Sequence, residues 1–263
     1  MLKKLLKYDF INIYKGLVIF YSLSLFFSIL ARLFIGIENS FIMNIIGNIC
    51  VGVSISMMFN VLINNFIRLW VRFKQNLYGD ESYLTHTLPI EKNTLYLSKI
   101  ITSVVSLFTS IVVIALSLFI IYYSKDNLDI FKNMLNIVAE IYDSCMLKLI
   151  LVFLFIFFIE AVNMLQCGFT GIILGHRMNN IKTLYSFVFG FLSYMVTQVF
   201  SLLVIFIVAL FNSDLMNLFF TNEIISIDMV KIIIYLSISI YSISFIAFYF
   251  INVKLFNKGV NVD

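Results

Sequence analysis

The side chains that could do chemistry in this chain are few and lie far apart in the sequence. Its two histidines, His86 and His176, and its three cysteines form no HExxH, CxxC or similar spacing that would hold a metal or activate a nucleophile. No GxSxG and no GxxxxGK[ST] phosphate-binding loop occurs. We therefore expect no catalytic residue, no metal site and no cofactor in the chain itself.

Glu160 is the ionisable residue that falls well inside a predicted membrane span. A carboxylate in a bilayer is costly and by default marks a functional site. Asn163, Cys167 and Thr170 follow at steps of three and four residues, which places all four on one helix face. Glu160 either lines a cavity for a cationic or polar cargo or bonds to a neighbouring span. Polar contacts between helices are common in membrane bundles, which favours the second interpretation.

Small and amide side chains form rows at four-residue steps on other predicted spans. One row contains Asn44, Asn48, Gly52, Ser56, Asn60 and Asn64, and another contains Ser186, Gly190, Ser193, Thr197 and Ser201. Such rows either pack against a neighbouring helix or line a polar path, and we favour packing. Gly171 and Gly175 form a GxxxG pair that permits close helix approach. The residues we select as cavity candidates are Asn48, Ser56, Asn60, Asn64, Glu160, Asn163 and Thr197.

The interior stretch of residues 78–99 has no apolar run able to cross a bilayer, although very hydrophobic segments flank it. It contains Pro89, the only proline of the chain. We predict a short helix over residues 80–87, a break at Leu88–Pro89 and a new helix from Ile90, with Pro89 at its first position and Glu91 favouring its N-terminus. A bare connector needs only a few residues, so this segment indicates a docking surface.

The string from Gly79 to Ile90, with Ser98–Lys99 after it, closely resembles the cytoplasmic loop of bacterial ABC-2 type permeases. In that family the loop carries the coupling helix, which sits in a groove of a partner ATPase. The family commonly has glycine where Ser82 stands, and the rest of the chain matches only in layout. By this resemblance the coupling residues are Asp80, Glu81, Tyr83, Leu84, Thr85, His86, Thr87, Leu88 and Pro89.

The resemblance implies the partners of the chain. A separate ATPase would bind ATP and Mg²⁺, and a second permease copy, identical or related, would complete the transporter. Close relatives in Gram-positive bacteria, such as phenol-soluble-modulin and lantibiotic exporter permeases, export amphipathic toxin or antimicrobial peptides or give resistance to them. An amphipathic peptide cargo is therefore implied, and no nucleic acid.

Composition independently indicates an all-α polytopic membrane protein. Hydrophobic residues make up 62% of the 263 residues and charged residues 12%, against about 25% charged in soluble domains. The pattern predicts a single transmembrane domain with an amphipathic N-terminal elbow helix over residues 2–15. Six predicted spans cover about residues 17–35, 41–66, 100–123, 149–174, 184–211 and 232–253.

The lysines and arginines predict the orientation. With both termini in the cytoplasm, 13 of the 18 basic residues lie inside, which agrees with the positive-inside rule. This places residues 78–99 in the cytoplasm. The family resemblance implies that the membrane is a bacterial cytoplasmic membrane. Because no helix breaker occurs before Gly79, we also expect the second span to continue to Leu77 as one long strut. Amphipathic character predicts a surface helix within residues 124–148, and an apolar run within 212–231 could dip into the outer leaflet.

Two other classes remain open at this point. One is a drug, lipid or polysaccharide exporter of the same architecture, which would differ only in its cavity. The other is a non-transporting membrane scaffold or sensor, which would have no ATPase partner.

Overall fold

The structure, a computed structural model, describes residues 2–37, 40–123, 129, 133, 146–212, 215–216 and 227–258. These residues form helices and connecting turns, without a strand among them. The helices are α1 (Leu2–Ile35), α2 (Phe41–Leu77), α3 (Ser82–Thr87), α4 (Lys92–Tyr122), α5 (Met146–Gly175), α6 (Lys182–Phe211) and α7 (Ile227–Asn257).

All of these helices except α3 are long and apolar enough to cross a bilayer, which gives six candidate spans in the described residues. The shortest apolar helical stretch, Ile150–Gly175, has 26 residues, and a span needs about 20. The predicted all-α class and the six spans are confirmed, and the chain is a multi-pass membrane protein.

The first helix joins two segments that the sequence analysis treated separately. Leu2–Ile35 is one helix of 34 residues, with no break between the predicted elbow and the first span. Gly16 lies at this junction, but a glycine costs only about 1 kcal/mol in a helix, too little to end one in an apolar sequence. That the first turns of α1, the predicted elbow, lie in the plane of the lipid headgroups stays a prediction.

The second helix has the length predicted for a strut. Phe41–Leu77 contains 37 residues and no proline, so it is about 55 Å long at 1.5 Å per residue. The hydrocarbon core of a bilayer takes only about 30 Å of that length. One end of α2 therefore extends beyond the bilayer, and its extension into the cytoplasm stays a prediction.

The described residues form two compact units. The first contains Met1–Gln75 and His86–Leu135, and the second contains Asn76–Thr85 and Asn136–Asp263. The single transmembrane domain stays a prediction. Most of the predicted surface helix, and residues 217–226 of the predicted outer-leaflet run, lie outside the described residues.

Small hydroxyl side chains join the helices of the first unit. Ser24 is hydrogen-bonded to Ser117 at 3.0 Å, and Ser28 is hydrogen-bonded to Ser54 at 2.7 Å, with all four side chains buried. Small residues let helix backbones approach closely, and the hydroxyl pairs satisfy each other away from water.

In the second unit, α5 and α6 are in direct backbone contact at the GxxxG pair. A Cβ added at Gly171 would overlap the backbone of Gly190 and Ser186, and one added at Gly175 would overlap Ser186. The close approach that this pair permits is therefore realised. By contrast, a Cβ added at Gly52 of α2 would meet nothing within 4 Å.

Gly171→Ala should destabilise the protein, because the α5–α6 backbones must separate to admit the methyl group. Overpacking of this kind costs about 1–3 kcal/mol. Gly52→Ala is the matched control, and it should leave stability unchanged or raise it by up to about 1 kcal/mol through helix propensity. Both are measured by titrating the purified protein from mild into denaturing detergent. Equal effects at the two positions would contradict the close packing.

Candidate functional site

The predicted coupling segment begins with a turn and a short helix. α2 ends at Leu77, and the Ser82 N–H donates to the Gly79 carbonyl at 2.8 Å. The helix α3 then covers Ser82–Thr87, within the predicted range of residues 80–87. A short helix at this position is therefore confirmed, and it starts later than predicted because residues 78–81 form the turn.

The predicted break at Leu88–Pro89 is confirmed, but the next helix does not start at Ile90, so the prediction that Pro89 occupies its first position is wrong. The Ile90 N–H donates to the Leu88 carbonyl at 2.7 Å, which closes a three-residue turn around Pro89. The fixed φ of proline suits the centre of this turn as well as it suits a first helical position. α4 begins at Lys92, and Glu91 precedes it with an extended backbone and no side-chain capping bond.

The middle of α3 has a buried face and an exposed face. Ser82 and Thr85 are buried, whereas Tyr83 and Leu84 are 68% and 74% exposed. Thr85, which we expect from the resemblance to contact the ATPase, is instead buried in this chain. Its hydroxyl donates to the Glu81 carbonyl at 3.0 Å. The remaining predicted coupling residues are exposed, with His86 partly buried: Asp80, Glu81, Thr87, Leu88 and Pro89.

Contacts within the second unit fix the start of the segment. The side-chain amide of Asn76 donates to the Glu81 carboxylate at 2.8 Å. Tyr78 is buried, with its ring 4.5 Å from the ring of His176. Burial raises the pKa of Tyr78, and this effect exceeds that of the Arg177 charge, which lowers it. The Tyr78 hydroxyl therefore stays neutral at physiological pH. His176, a loop histidine without an assigned role in the sequence analysis, therefore has a packing function.

A buried ion pair lies within the first unit, where α1 meets α4. Lys99 Nζ donates to the two carboxylate oxygens of Asp9 at 2.6 and 2.8 Å, and both side chains are buried. Arg72 of α2 approaches the same carboxylate with its Nε at 3.8 Å. Asp9 thus links three helices, α1, α2 and α4. Removing one partner of such a pair costs about 3–5 kcal/mol, because it leaves an uncompensated buried charge.

This pair is not predicted by the sequence pattern. Lys99 belongs to the string that resembles the family motif, whereas no motif marks Asp9. A signal existed, because Asp9 is the only acidic residue before Glu38, among several lysines. Its partner could not be chosen from the sequence, because the two residues are distant in the chain and meet only when α1 packs on α4.

Asn65 is a second buried polar residue that the sequence analysis missed. Its amide nitrogen donates to the Ser106 carbonyl at 3.0 Å and to the Ser110 hydroxyl at 2.7 Å. Its amide oxygen accepts from the Ser106 hydroxyl at 2.8 Å. Buried amides need such complete satisfaction, so Asn65 fixes the register of α2 against α4.

The predicted polar row on α2 lies beside Asn65 and faces outward. Asn48, Ser56 and Asn60 are exposed and Asn64 is partly buried, so most of this row is not packed within the first unit. Its role as a packing surface or a polar path stays a prediction. Ser56, Asn60 and Asn64 each donate to the carbonyl four residues earlier in α2, at 3.0 Å. These bonds use one donor of each side chain within α2, and the Asn60 and Asn64 amide oxygens accept no hydrogen bond within the described residues.

The polar face of α5 mostly joins helices of the second unit. The Asn163 amide donates to Thr197 at 3.4 Å, so the structure brings these two candidates together. Thr170 donates to the Asn252 amide oxygen at 2.8 Å. Glu160 lies at the partly buried end of the face, where the Tyr194 hydroxyl donates to it at 3.5 Å. This arrangement supports the bonding interpretation of the face over the cavity interpretation.

None of the protein-family models, curated proteins or solved structures compared with this chain matches it. The resemblance to ABC-2 permeases therefore depends on the residues of the coupling segment.

A double-mutant cycle tests the ion pair. Asp9→Asn and Lys99→Met should each lower the free energy of unfolding by about 3–5 kcal/mol. The double variant should lose less than the sum, with a coupling energy of about 0.5–3 kcal/mol. The measurement is unfolding of the purified protein in mixed micelles. Asp80→Asn, at an exposed carboxylate, is the control and should change stability by less than about 0.5 kcal/mol. Additive losses would contradict a direct pair.

Proposed function

We propose that this chain is the permease subunit of an ABC-2 type exporter in a bacterial cytoplasmic membrane, driven by a separate ATPase that binds ATP and Mg²⁺. The observation that carries the proposal is the exposed pair Tyr83 and Leu84 on α3, in the segment whose sequence resembles the family's coupling helix. The absence of a phosphate-binding loop from the sequence is consistent with hydrolysis on a partner chain.

The exposed pair has the properties of a protein-docking site. A helix of six residues is not stable alone, so α3 is held by its buried side and by two bonds to Asn76 of α2, one from its amide to Glu81 and one from the Thr85 hydroxyl at 3.4 Å. A large aromatic and a large aliphatic side chain on such a fixed helix suit a groove in a partner. Tyrosine is among the residues that most often dominate interface energies. The exposed carboxylates of Asp80 and Glu81 supply the polar rim.

Movement of α3 has a covalent route into the membrane. α3 follows α2 after one turn and precedes α4 after another, and α2 and α4 are both unbroken spans. In the proposed cycle, ATP closes two ATPase subunits beneath two permeases. The coupling helices then bias the bundle between two states. With both termini inside, as the basic residues predict, the segment faces the cytoplasm where the ATPase is located.

The outward-facing row on α2 supports a paired permease with an amphipathic cargo. Exposed amide oxygens are poorly satisfied by lipid tails, so a second copy or a wet path accounts for Asn48 and Asn60 better than lipid does. Phe59 and Ile63, 64% and 54% exposed, lie close to this row and give the same helix a large apolar surface. A surface of this mixed kind matches an amphipathic peptide.

Replacing both Tyr83 and Leu84 by alanine should uncouple the ATPase. Loss of one interface hot spot costs at least about 2 kcal/mol, so binding of the ATPase should weaken at least tenfold. The measurements are co-purification, from the native membrane, with a chain that carries a GxxxxGK[ST] loop, and peptide-stimulated ATP hydrolysis in proteoliposomes that contain both chains.

The matched control replaces Phe41 and Ile42, which are 80% and 65% exposed at the opposite end of α2. That double variant should bind and stimulate the ATPase normally. Normal coupling in the Tyr83 and Leu84 variant, at normal membrane insertion, would contradict the docking assignment.

A further inference from the structure

A cationic cleft lies in the first unit between α1 and α2. Its volume is about 270 Å³, just below the usual range of small-molecule sites. Asn12 and Ile13 of α1 line it together with Ile67, Arg68, Val71 and Arg72 of α2. Asn64 of the polar row on α2 and Gln75 complete the lining. The two arginines have no part in the proposed transport.

The two helices that form the cleft carry an excess of positive charge. α2 contains no acidic residue, and Asp9 is the only one in α1. The Asp9 carboxylate is shared between Lys99, at 2.6 Å, and Arg72, at 3.8 Å. Arg68 forms no ion pair within the part of the chain that the structure describes, and its buried Nε has no hydrogen-bond partner there. An anion in the cleft would satisfy this guanidinium.

The position of Arg68 depends on its neighbours in α1. Its guanidinium lies where a Cβ of residue 16 would be, so only glycine at that position admits it. The guanidinium carbon is also 6.0 Å from the centre of the Phe20 ring, within range of a cation–π contact. The side-chain oxygen of Asn12 faces Arg72 and accepts hydrogen bonds from both terminal nitrogens of the Arg72 guanidinium, at 2.9 and 3.2 Å. Both arginines are therefore held at the cleft before any ligand arrives.

We propose that this cleft binds the phosphate of an anionic phospholipid headgroup. The Arg68 guanidinium suits phosphate because its terminal nitrogens offer two parallel donors, and Arg72, held by Asn12 and Asp9, adds positive charge beside it. The apolar rim favours a lipid over a free phosphate. Ile67 and Val71 line the cleft and are 49% and 45% exposed, and Ile63 one turn away is 54% exposed. An acyl chain can cover these side chains while the headgroup enters the cleft. The proposal needs only the membrane-spanning fold and does not depend on the ATPase.

The test is lipid binding to the purified full-length chain in detergent, by native mass spectrometry and by thermal stability. Phosphatidylglycerol should remain bound and raise the melting temperature, and phosphatidylcholine should do so far less. Arg68→Gln should weaken phosphatidylglycerol binding about tenfold to a hundredfold, as expected for a charge-assisted hydrogen bond. Arg32→Gln, the same charge change at the other end of α1, is the control and should bind normally.

Val71→Trp gives a second variant in case Arg68→Gln folds poorly. The Val71 side chain is exposed at the cleft mouth, so folding should be preserved while the larger ring blocks the headgroup.

Three results would overturn the proposal. Inorganic phosphate or glycerol phosphate could stabilise as well as the lipid, which would indicate a free-phosphate site. Phosphatidylcholine could bind equally, or both variants could bind phosphatidylglycerol like the unaltered chain.

Discussion

The buried pair of Asp9 and Lys99 is the constraint on which the first unit depends. Two charges out of water cannot be separated cheaply, so α1 and α4 are fixed where the carboxylate meets the ammonium group. Arg72 extends the constraint to α2. Lys99 is in the second turn of α4 and is the last residue of the segment 78–99, so the pair anchors the helix with which that segment ends. A buried pair at this position favours one register of α1 against α4 over registers in which the two helices are shifted along their axes.

Polar side chains in this bundle occur in two arrangements with different consequences. Asn65, Ser106 and Ser110 are buried and bond across helices, which fixes packing. Asn60 and Asn64, next to Asn65 on α2, donate to carbonyls of their own helix. The first arrangement fixes the register of α2 against α4, and the second leaves polar groups on the surface of α2. The cationic cleft adds a third polar surface to α2, at the level of Arg68 and Arg72.

The sequence predicts those features that depend on local pattern. The six spans and the bounds of α2 follow from long apolar stretches without breakers. The short helix near Tyr83 lies in a stretch too polar to cross a bilayer and ends before the break at Leu88–Pro89. The sequence fails where alternatives compete or distant residues meet. Pro89 fits either a tight turn or a helix start, and the Ile90–Leu88 hydrogen bond decides for the turn. Asn64 and Asn65 are adjacent and chemically identical, and only the position of α4 decides which is buried.

The central claim is that Tyr83 and Leu84 contact an ATP-hydrolysing partner. The most direct measurement is photocrosslinking from a photoreactive phenylalanine analogue placed at position 84, in membranes of the cells that make this protein. The account predicts a crosslink to a chain with a GxxxxGK[ST] loop, identified by mass spectrometry, and none from the same analogue at position 41. A crosslink only to lipid, or equal crosslinks from positions 84 and 41, would contradict it.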